Sequence, residues 1–158
     1  MGDRSVSTRE LRIAPLFLVV AFALAIILVA VFVPAANRPF PGHRVLAVVT
    51  LLLGPLLAGL GVFQFRRAST TVNPLAPGRA SSVVASGVYR WSRNPMYLGM
   101  TLALLGLAAW WSSLPGYLAV FVFSGYLTRF QIRFEEQALL AKFGPEFSAY
   151  MRRVRRWI

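Results

Sequence analysis

Three long stretches without a formal charge dominate this chain and limit what it can fold into. Ile13 to Val33 and Val45 to Phe65 are apolar and uncharged, and from Asn94 to Thr128 no charged residue occurs at all. Each of the first two is long enough to cross about 30 Å of hydrocarbon at about 1.5 Å per helical residue. The third is interrupted near its middle by Ser112-Ser113-Leu114-Pro115-Gly116, which has the chemistry of a tight turn, so it reads as a helical hairpin. A chain of 158 residues that is 57% hydrophobic and 14% charged cannot hide that much apolar surface in a small soluble core. The expected fold is therefore all-α: a polytopic membrane protein with four transmembrane helices, at about 13–33, 45–65, 95–112 and 114–132. A cytoplasmic helical extension, 133–158, follows. One membrane domain accounts for residues 1–158.

A signal peptide is the alternative for the first run, since Arg4, Arg9 and Arg12 precede it. The run is longer than a signal core, however, and no small-x-small cleavage site follows. In the second run Gly54, Pro55, Gly59 and Gly61 are residues that membrane helices tolerate, and they predict a face packed closely on a neighbouring helix.

The net charge of +12 raises the question of nucleic acid, and the placement of the cations answers it. Three arginines precede the first run, five lie between the second and third (Arg66, Arg67, Arg79, Arg90, Arg93), and seven cations follow the fourth. The first intervening loop has only Arg38 and Arg44, and the hairpin turn has none. Short cytoplasmic loops retain Lys and Arg, so both termini are expected in the cytoplasm. No nucleic-acid-binding motif accompanies the charge, and no nucleic-acid partner is expected. With no cysteine and only His43 there are too few ligands for zinc, and no metal is expected.

Two polar regions then share the cytoplasmic face. The first, Arg66 to Arg93, opens with the loop chemistry of Thr70-Thr71-Val72-Asn73-Pro74 and Pro77-Gly78. Asn94 stands at an N-cap position and Pro95 at the first helical residue, so the third span starts beside Arg93. A helix N-terminus beside an arginine suits an anion. The plainer reading is that Asn94 and Pro95 only start a helix, while Tyr89, Trp91 and Tyr97 form an interfacial aromatic belt. The second region continues the fourth helix through Glu135 and Glu136, two of five acidic residues in the chain, to a stop at Gly144 and a new start at Pro145. In that last helix Phe147, Tyr150, Met151 and Val154 make an apolar stripe opposite Arg152, Arg153, Arg155 and Arg156, suited to lying along headgroups. For Glu135 and Glu136 the plainer reading is a surface ion pair with Arg129 or Arg133.

Taken in order, Gly87-Val88-Tyr89-Arg90, Arg93-Asn94-Pro95-Met96-Tyr97-Leu98-Gly99 and Glu135-Glu136-x-x-Leu139-x-x-x-Phe143-Gly144-x-x-Phe147-x-x-Tyr150 resemble the signature of the integral membrane methyltransferases. That family includes isoprenylcysteine carboxyl methyltransferases and phospholipid methyltransferases, and the chain looks like a short, bacterial-type member from the inner membrane. The resemblance covers Thr70 to Trp157. It implies S-adenosylmethionine as cofactor and a lipophilic substrate (carboxylate, amine or thiol) drawn from the bilayer. The cofactor would lie at the cytoplasmic mouth of the third and fourth helices, beneath the tail.

The residues it nominates for the cofactor are Tyr89, Arg93, Asn94, Pro95, Tyr97, Leu98, Gly99, Glu135, Glu136 and Tyr150, with Glu136 as the candidate catalytic base for an amine or thiol acceptor. An arginine and a helix N-terminus suit the cofactor's carboxylate, the glutamates its amino group or ribose, and aromatic faces its sulfonium and adenine. Asn94 departs from the family's histidine, which removes a titratable group there. No glycine-rich nucleotide loop is present, which argues against a soluble-type methyltransferase fold. Two rivals are a steroid-reductase-like enzyme using reduced nicotinamide, against which the Glu-Glu-x-x-Leu and Phe-Gly elements speak, and a noncatalytic membrane protein whose charges only orient it.

Overall fold

The computed structural model describes residues 14–68 and 80–158. Ile13, the N-terminal arginines and the loop residues Thr70 to Arg79 lie outside the described residues. Among the described residues the fold is all-helical and contains no strand. Its elements are α1 (Pro15–Phe32), α2 (His43–Arg67), α3 (Pro95–Trp111), α4 (Leu114–Tyr126), α5 (Arg133–Phe143) and α6 (Pro145–Arg153). Short 3-10 turns occupy Pro34–Ala36 and Gly87–Arg90.

Proline sits in the first turn of α1, α3, α4 and α6, where its fixed φ suits a helix start and its missing N–H costs nothing. The predicted hairpin is a real one. Ser112 takes a left-handed conformation (φ 51°), and the Ser113 side chain accepts from Gly116 N at 3.3 Å to cap α4. Gly144 adopts φ 49°, a conformation open to glycine, where α5 ends and α6 begins.

α1 and α2 are long and apolar enough to cross a membrane, and α3 is a shorter apolar helix of 17 residues. Many of their large side chains point outward: Phe17 is 73% exposed, Leu52 69% and Phe121 of α4 76%. In water such a surface would be strongly unfavourable, and hydrocarbon is its natural solvent. The protein is membrane-associated.

α2 and α3 form the most extensive helix pair. Their closeness depends on Gly54 and Gly99: a Cβ at Gly54 would come within 2.6 Å of Gly99 O. Gly61 faces Met96, whereas Gly59 meets no neighbour, so the expected small-residue face is built from two of its three glycines. α1 packs on α3 and α4. Ile26, Tyr97, Leu104, Phe123, Leu127 and Ile132 form the shared core, with Phe22 and Phe123 edge to face at 5.4 Å.

The fourth apolar segment is not one uniform α-helix. Between α4 and α5 the residues Leu127–Ile132 form a π-helical turn. Such a turn inserts an extra residue and rotates everything that follows by about 100° relative to a plain α-helix. Thr128 and Ser124 hydroxyls donate to the carbonyls of Ser124 and Val120, each at 2.8 Å, along the entry to this turn.

At one end of the bundle lie residues 33–42 and 112–113, joined by an Asn37–Ser113 bridge and by Arg38 N donating to Ser112 O at 2.8 Å. At the other end lie the C-terminus of α2, the start of α3, the π-turn, α5 and α6. The second buried cluster, Phe147, Tyr150 and Val154, packs there on Val83, Leu139, Phe143 and Met151. The apolar stripe expected to face headgroups is thus turned inward, against α5 and the loop before α3, because two short helices joined at Gly144 fold onto each other.

Candidate functional site

Arg93, Asn94 and Pro95 bring the chain into α3, and the C-terminal residues return to meet them. Arg93 N donates to Arg155 O at 3.0 Å, and the Asn94 side chain donates to Arg156 O at 2.9 Å. Asn94 holds the N-cap position, but its side chain does not cap: it is spent on the tail, and Ser92 Oγ accepts from Asn94 N at 3.1 Å instead. Trp157 completes the return by donating from Nε1 to Thr128 Oγ1 in the π-turn at 3.3 Å.

That return carries Arg156 to Glu136. Arg156 Nη2 donates to Glu136 Oε2 at 2.6 Å and Nε to Oε1 at 3.1 Å, a two-pronged pair. Arg93 Nη1 lies 3.2 Å from Glu136 Oε1. Glu136 is 9% exposed, so its charge is offset by two guanidinium groups contributed from before α3 and after α6. Hydrogen bonding to Glu136 strengthens the hold of Arg156 on its proton. At Glu136 the ion pair is therefore a half-buried one with Arg93 and Arg156 rather than a surface pair with Arg129 or Arg133. Arg156 leaves the polar face assigned to it because α6 ends at Arg153 and extended chain follows.

Glu135 points to other partners. Its Oε1 accepts from Tyr97 Oη at 2.5 Å and from Gln131 Nε2 at 2.6 Å. Tyr150 Oη donates to Tyr89 O at 2.8 Å, which ties α6 to the turn before α3. Phe65 at the end of α2 meets Tyr89 edge to face at 5.2 Å. The turn holding Tyr89 begins at Gly87 with φ +56°, and a Cβ there would collide with the Gln64 amide.

Residues from these segments line one cavity with an enclosed volume of about 80 Å³. Of the nominated residues, Tyr89, Arg93, Asn94, Tyr97, Glu135, Glu136 and Tyr150 line it. Pro95, Leu98 and Gly99 do not. Pro95 starts the helix, and Gly99 is turned to α2, where it makes room for Gly54. Lining residues not foreseen include Phe65, Val83, Val84 and Met96. Gln131 does not line the cavity but donates to Glu135; it was missed, although an amide four residues before a glutamate is a readable signal.

Burial sets the electrostatics. It raises the Tyr89 hydroxyl's pKa, with Tyr150 and Glu135 adding to the effect, and it raises that of Tyr150, with Arg93 pulling the other way. Both hydroxyls stay protonated at neutral pH. Among the described residues, Tyr89 Oη and Arg93 Nε are buried and have no hydrogen-bond partner. Two unsatisfied donors on a cavity wall, one of them cationic, are what an anionic ligand group needs. The described residues hold no cluster of three or more His, Asp or Glu side chains fit for a metal ion.

Comparison with known proteins agrees with the motifs. An uncharacterised protein of Haemophilus influenzae is 40% identical over 63 residues, which is 40% of this chain and all of that one. No solved structure matches. A profile of the phospholipid methyltransferase family matches residues 43–146, from the start of α2 into α6 and across the whole cavity wall of α3 and α5. This chain belongs to the phospholipid methyltransferase family.

Proposed function

We propose that the protein transfers a methyl group from S-adenosylmethionine to a lipophilic acceptor at the cytoplasmic surface of a membrane. The observation that carries this reading is the pairing, on one cavity wall, of unsatisfied donors at Arg93 and Tyr89 with the carboxylate of Glu135. Arg93 and Tyr89 suit the cofactor's carboxylate, Glu135 its amino group or ribose, and Tyr97, Phe65 and Phe147 its apolar and cationic parts. Bound S-adenosylmethionine supplies an electrophilic methyl group on a sulfonium.

The chain's own task is to align and to keep water out. α6 and the segment from Ala80 to Val84 cover the cavity, and orientation in a dry site supplies much of the acceleration without a protein nucleophile. A carboxylate acceptor gives up no proton, so it needs no base. Glu136, nominated as that base, has both oxygens engaged by arginines. In this reading it is the counter-ion that fixes Arg93 and Arg156 around the site.

We further infer four crossing segments, α1, α2, α3 and α4 with its π-turn, and both chain ends on the cytoplasmic side. α3 spans about 26 Å, and the adjoining turn residues extend its reach toward the hydrocarbon thickness. The chain has no native cysteine, so single cysteines report cleanly. A cysteine at Glu146 labelled from the cytoplasm and one at Leu114 labelled from outside are the expected pair; the reverse pattern overturns the topology.

Isothermal calorimetry on the purified protein tests the function. S-adenosylmethionine and S-adenosylhomocysteine are expected to bind and reduced nicotinamide dinucleotide is not. Nicotinamide binding without S-adenosylmethionine binding refutes the methyltransferase reading.

A further inference from the structure

The π-turn and the buried amide that follows from it have no part in the reading so far. Gln131 is 4% exposed and lies within the π-turn, between the fully buried Leu127 and Ile132. A buried amide is retained at a cost unless its donors are used. Here Nε2 donates to Glu135 Oε1 at 2.6 Å, and Tyr97 Oη donates to the same oxygen at 2.5 Å. Two short donors, one from the same helix and one from α3, converge on one carboxylate oxygen and fix the plane and direction of the group.

The extra residue of the π-turn decides where this happens. Leu127 and Ile132 stay fully buried in the core, and Gln131 and Glu135, four residues apart, share a face turned to Tyr97. Removing one residue from the turn would swing that face by about 100° away from α3. Trp157 pins the turn from outside through Thr128. The π-turn is thus the device that presents Gln131 and Glu135 to the cavity end of α3.

We propose that Gln131 is a positioning residue, which through its amide aims the Glu135 carboxylate into the cavity and holds it in the orientation that receives the donors of the bound cofactor. The ligand-binding part rests on reading the cavity as the S-adenosylmethionine site; the positioning of Glu135 does not. Gln131 itself lies behind Glu135 and is not among the cavity-lining residues.

A double-mutant cycle separates positioning from general packing. Gln131→Leu is expected to weaken S-adenosylhomocysteine binding about tenfold in the wild-type background, as loss of a charge-assisted hydrogen bond does. In a Glu135→Gln background the same change is expected to have less than about a twofold effect. Equal losses in both backgrounds overturn the proposal.

The second measurement needs no ligand: an infrared pH titration of the Glu135 carboxyl, with its band assigned by Glu135→Gln. Among the described residues, other ionisable groups facing that end of the cavity include Arg93 before α3, Tyr97 on α3, Tyr89 in the preceding turn, Glu136 on the same helix and Tyr150 on α6. Removing one donor from a carboxylate disfavours its charged form, so Gln131→Leu is expected to move the midpoint up. An unmoved midpoint overturns the proposal. Gln131→Met, similar in size and more adaptable, replaces Gln131→Leu if that variant melts early. Should the wild type bind no S-adenosylhomocysteine, the cofactor reading fails, while the titration still decides whether Gln131 governs Glu135.

Discussion

At the end of the bundle holding residues 33–42 and 112–113, polar side chains mostly turn to main chain in their own turn or on the adjoining helix. Asn37 donates to Ala30 O at 2.9 Å, Arg38 to Ala35 O at 2.8 Å, and His43 Nδ1 sits 3.0 Å from Ala109 O. Arg44 lies over the Trp110 ring at 4.5 Å. At the cavity end charged side chains are tied to one another as well as to main chain. Arg156 binds Glu136 twenty residues away, and Asn94 binds the carbonyl of Arg156, 62 residues on. The first end closes a turn with little ionic content. The second gathers charges, half-buries them and leaves Arg93 Nε and Tyr89 Oη without a partner beside a cavity. Unsatisfied groups exist toward the turn end too, at Asn37 Oδ1, Ser112 Oγ and Tyr117 Oη, but none is charged and none lines the cavity. The difference teaches that an unsatisfied group points to a ligand when it is a donor, is placed on a cavity and is held by costly partners.

The sharpest way to break that contrast is to remove the charge that holds the cavity end together. Glu136→Gln leaves Arg93 and Arg156 facing each other without a counter-ion in a half-buried site. The expected loss is about 3 kcal/mol of stability, the low end for breaking a buried pair because Arg156 keeps some contact with water. Thermal melting in detergent measures it. A loss below about 0.5 kcal/mol makes the pair an ordinary surface bridge and removes the distinction between the ends.

Tyr150→Phe comes next. The ring stays, but Tyr89 O loses its donor inside a buried contact, so the expected cost is about 1.5 kcal/mol. Denaturation curves check the cost, and calorimetry is expected to show weaker S-adenosylhomocysteine binding because the Tyr89 turn loosens. A stable variant with unchanged affinity would separate α6 from the site.

The turn end supplies the matching control. His43→Ala removes one side-chain contact to main chain and is expected to cost about 1 kcal/mol, with ligand affinity unchanged. A matching loss of affinity in calorimetry would couple the two ends and dissolve the comparison.

How much of this could be read from the sequence depends on the range of the interaction that decides each feature. Pro15, Pro95 and Pro145 mark helix starts, Gly144 marks a stop, and Ser112-Ser113 marks the hairpin. These are local choices of φ and capping, and the helices α1 to α3 begin and end within two residues of the apolar runs at 13–33, 45–65 and 95–112, whereas α4 stops at Tyr126, before the end of its run at 132. The convergence of Tyr89, Arg93, Tyr97, Glu135 and Tyr150 was carried by motif resemblance. No local rule brings residues so distant in sequence together. The π-turn was invisible because its six residues read as ordinary helix formers, and tertiary packing on α1 and α3 decides their register. Arg156 was misread for a similar reason. A period of 3.6 put it on a polar face, whereas the helix stops three residues earlier and the chain folds back.

The smallest change in stability belongs to Tyr89→Phe, and it separates a ligand site from a packing site most cleanly. The ring contact with Phe65 survives the change, and the atom removed is a buried hydroxyl with no partner. Removing an unsatisfied buried polar atom is neutral or stabilising, by up to about 1 kcal/mol. If the hydroxyl serves the cofactor, affinity for S-adenosylmethionine is expected to fall about fivefold while the melting temperature holds or rises. Alkaline pH gives an independent readout with a fixed sign. Burial raises the Tyr89 pKa above its unfolded value, so its contribution is present below about pH 10 and is lost as pH rises toward the folded value. Stability of the wild type is therefore expected to drop above about pH 10, and Tyr89→Phe to flatten that drop. A Phe variant that melts early yet binds S-adenosylmethionine as tightly as the wild type would assign Tyr89 Oη to the fold, and the cavity end would then resemble the turn end.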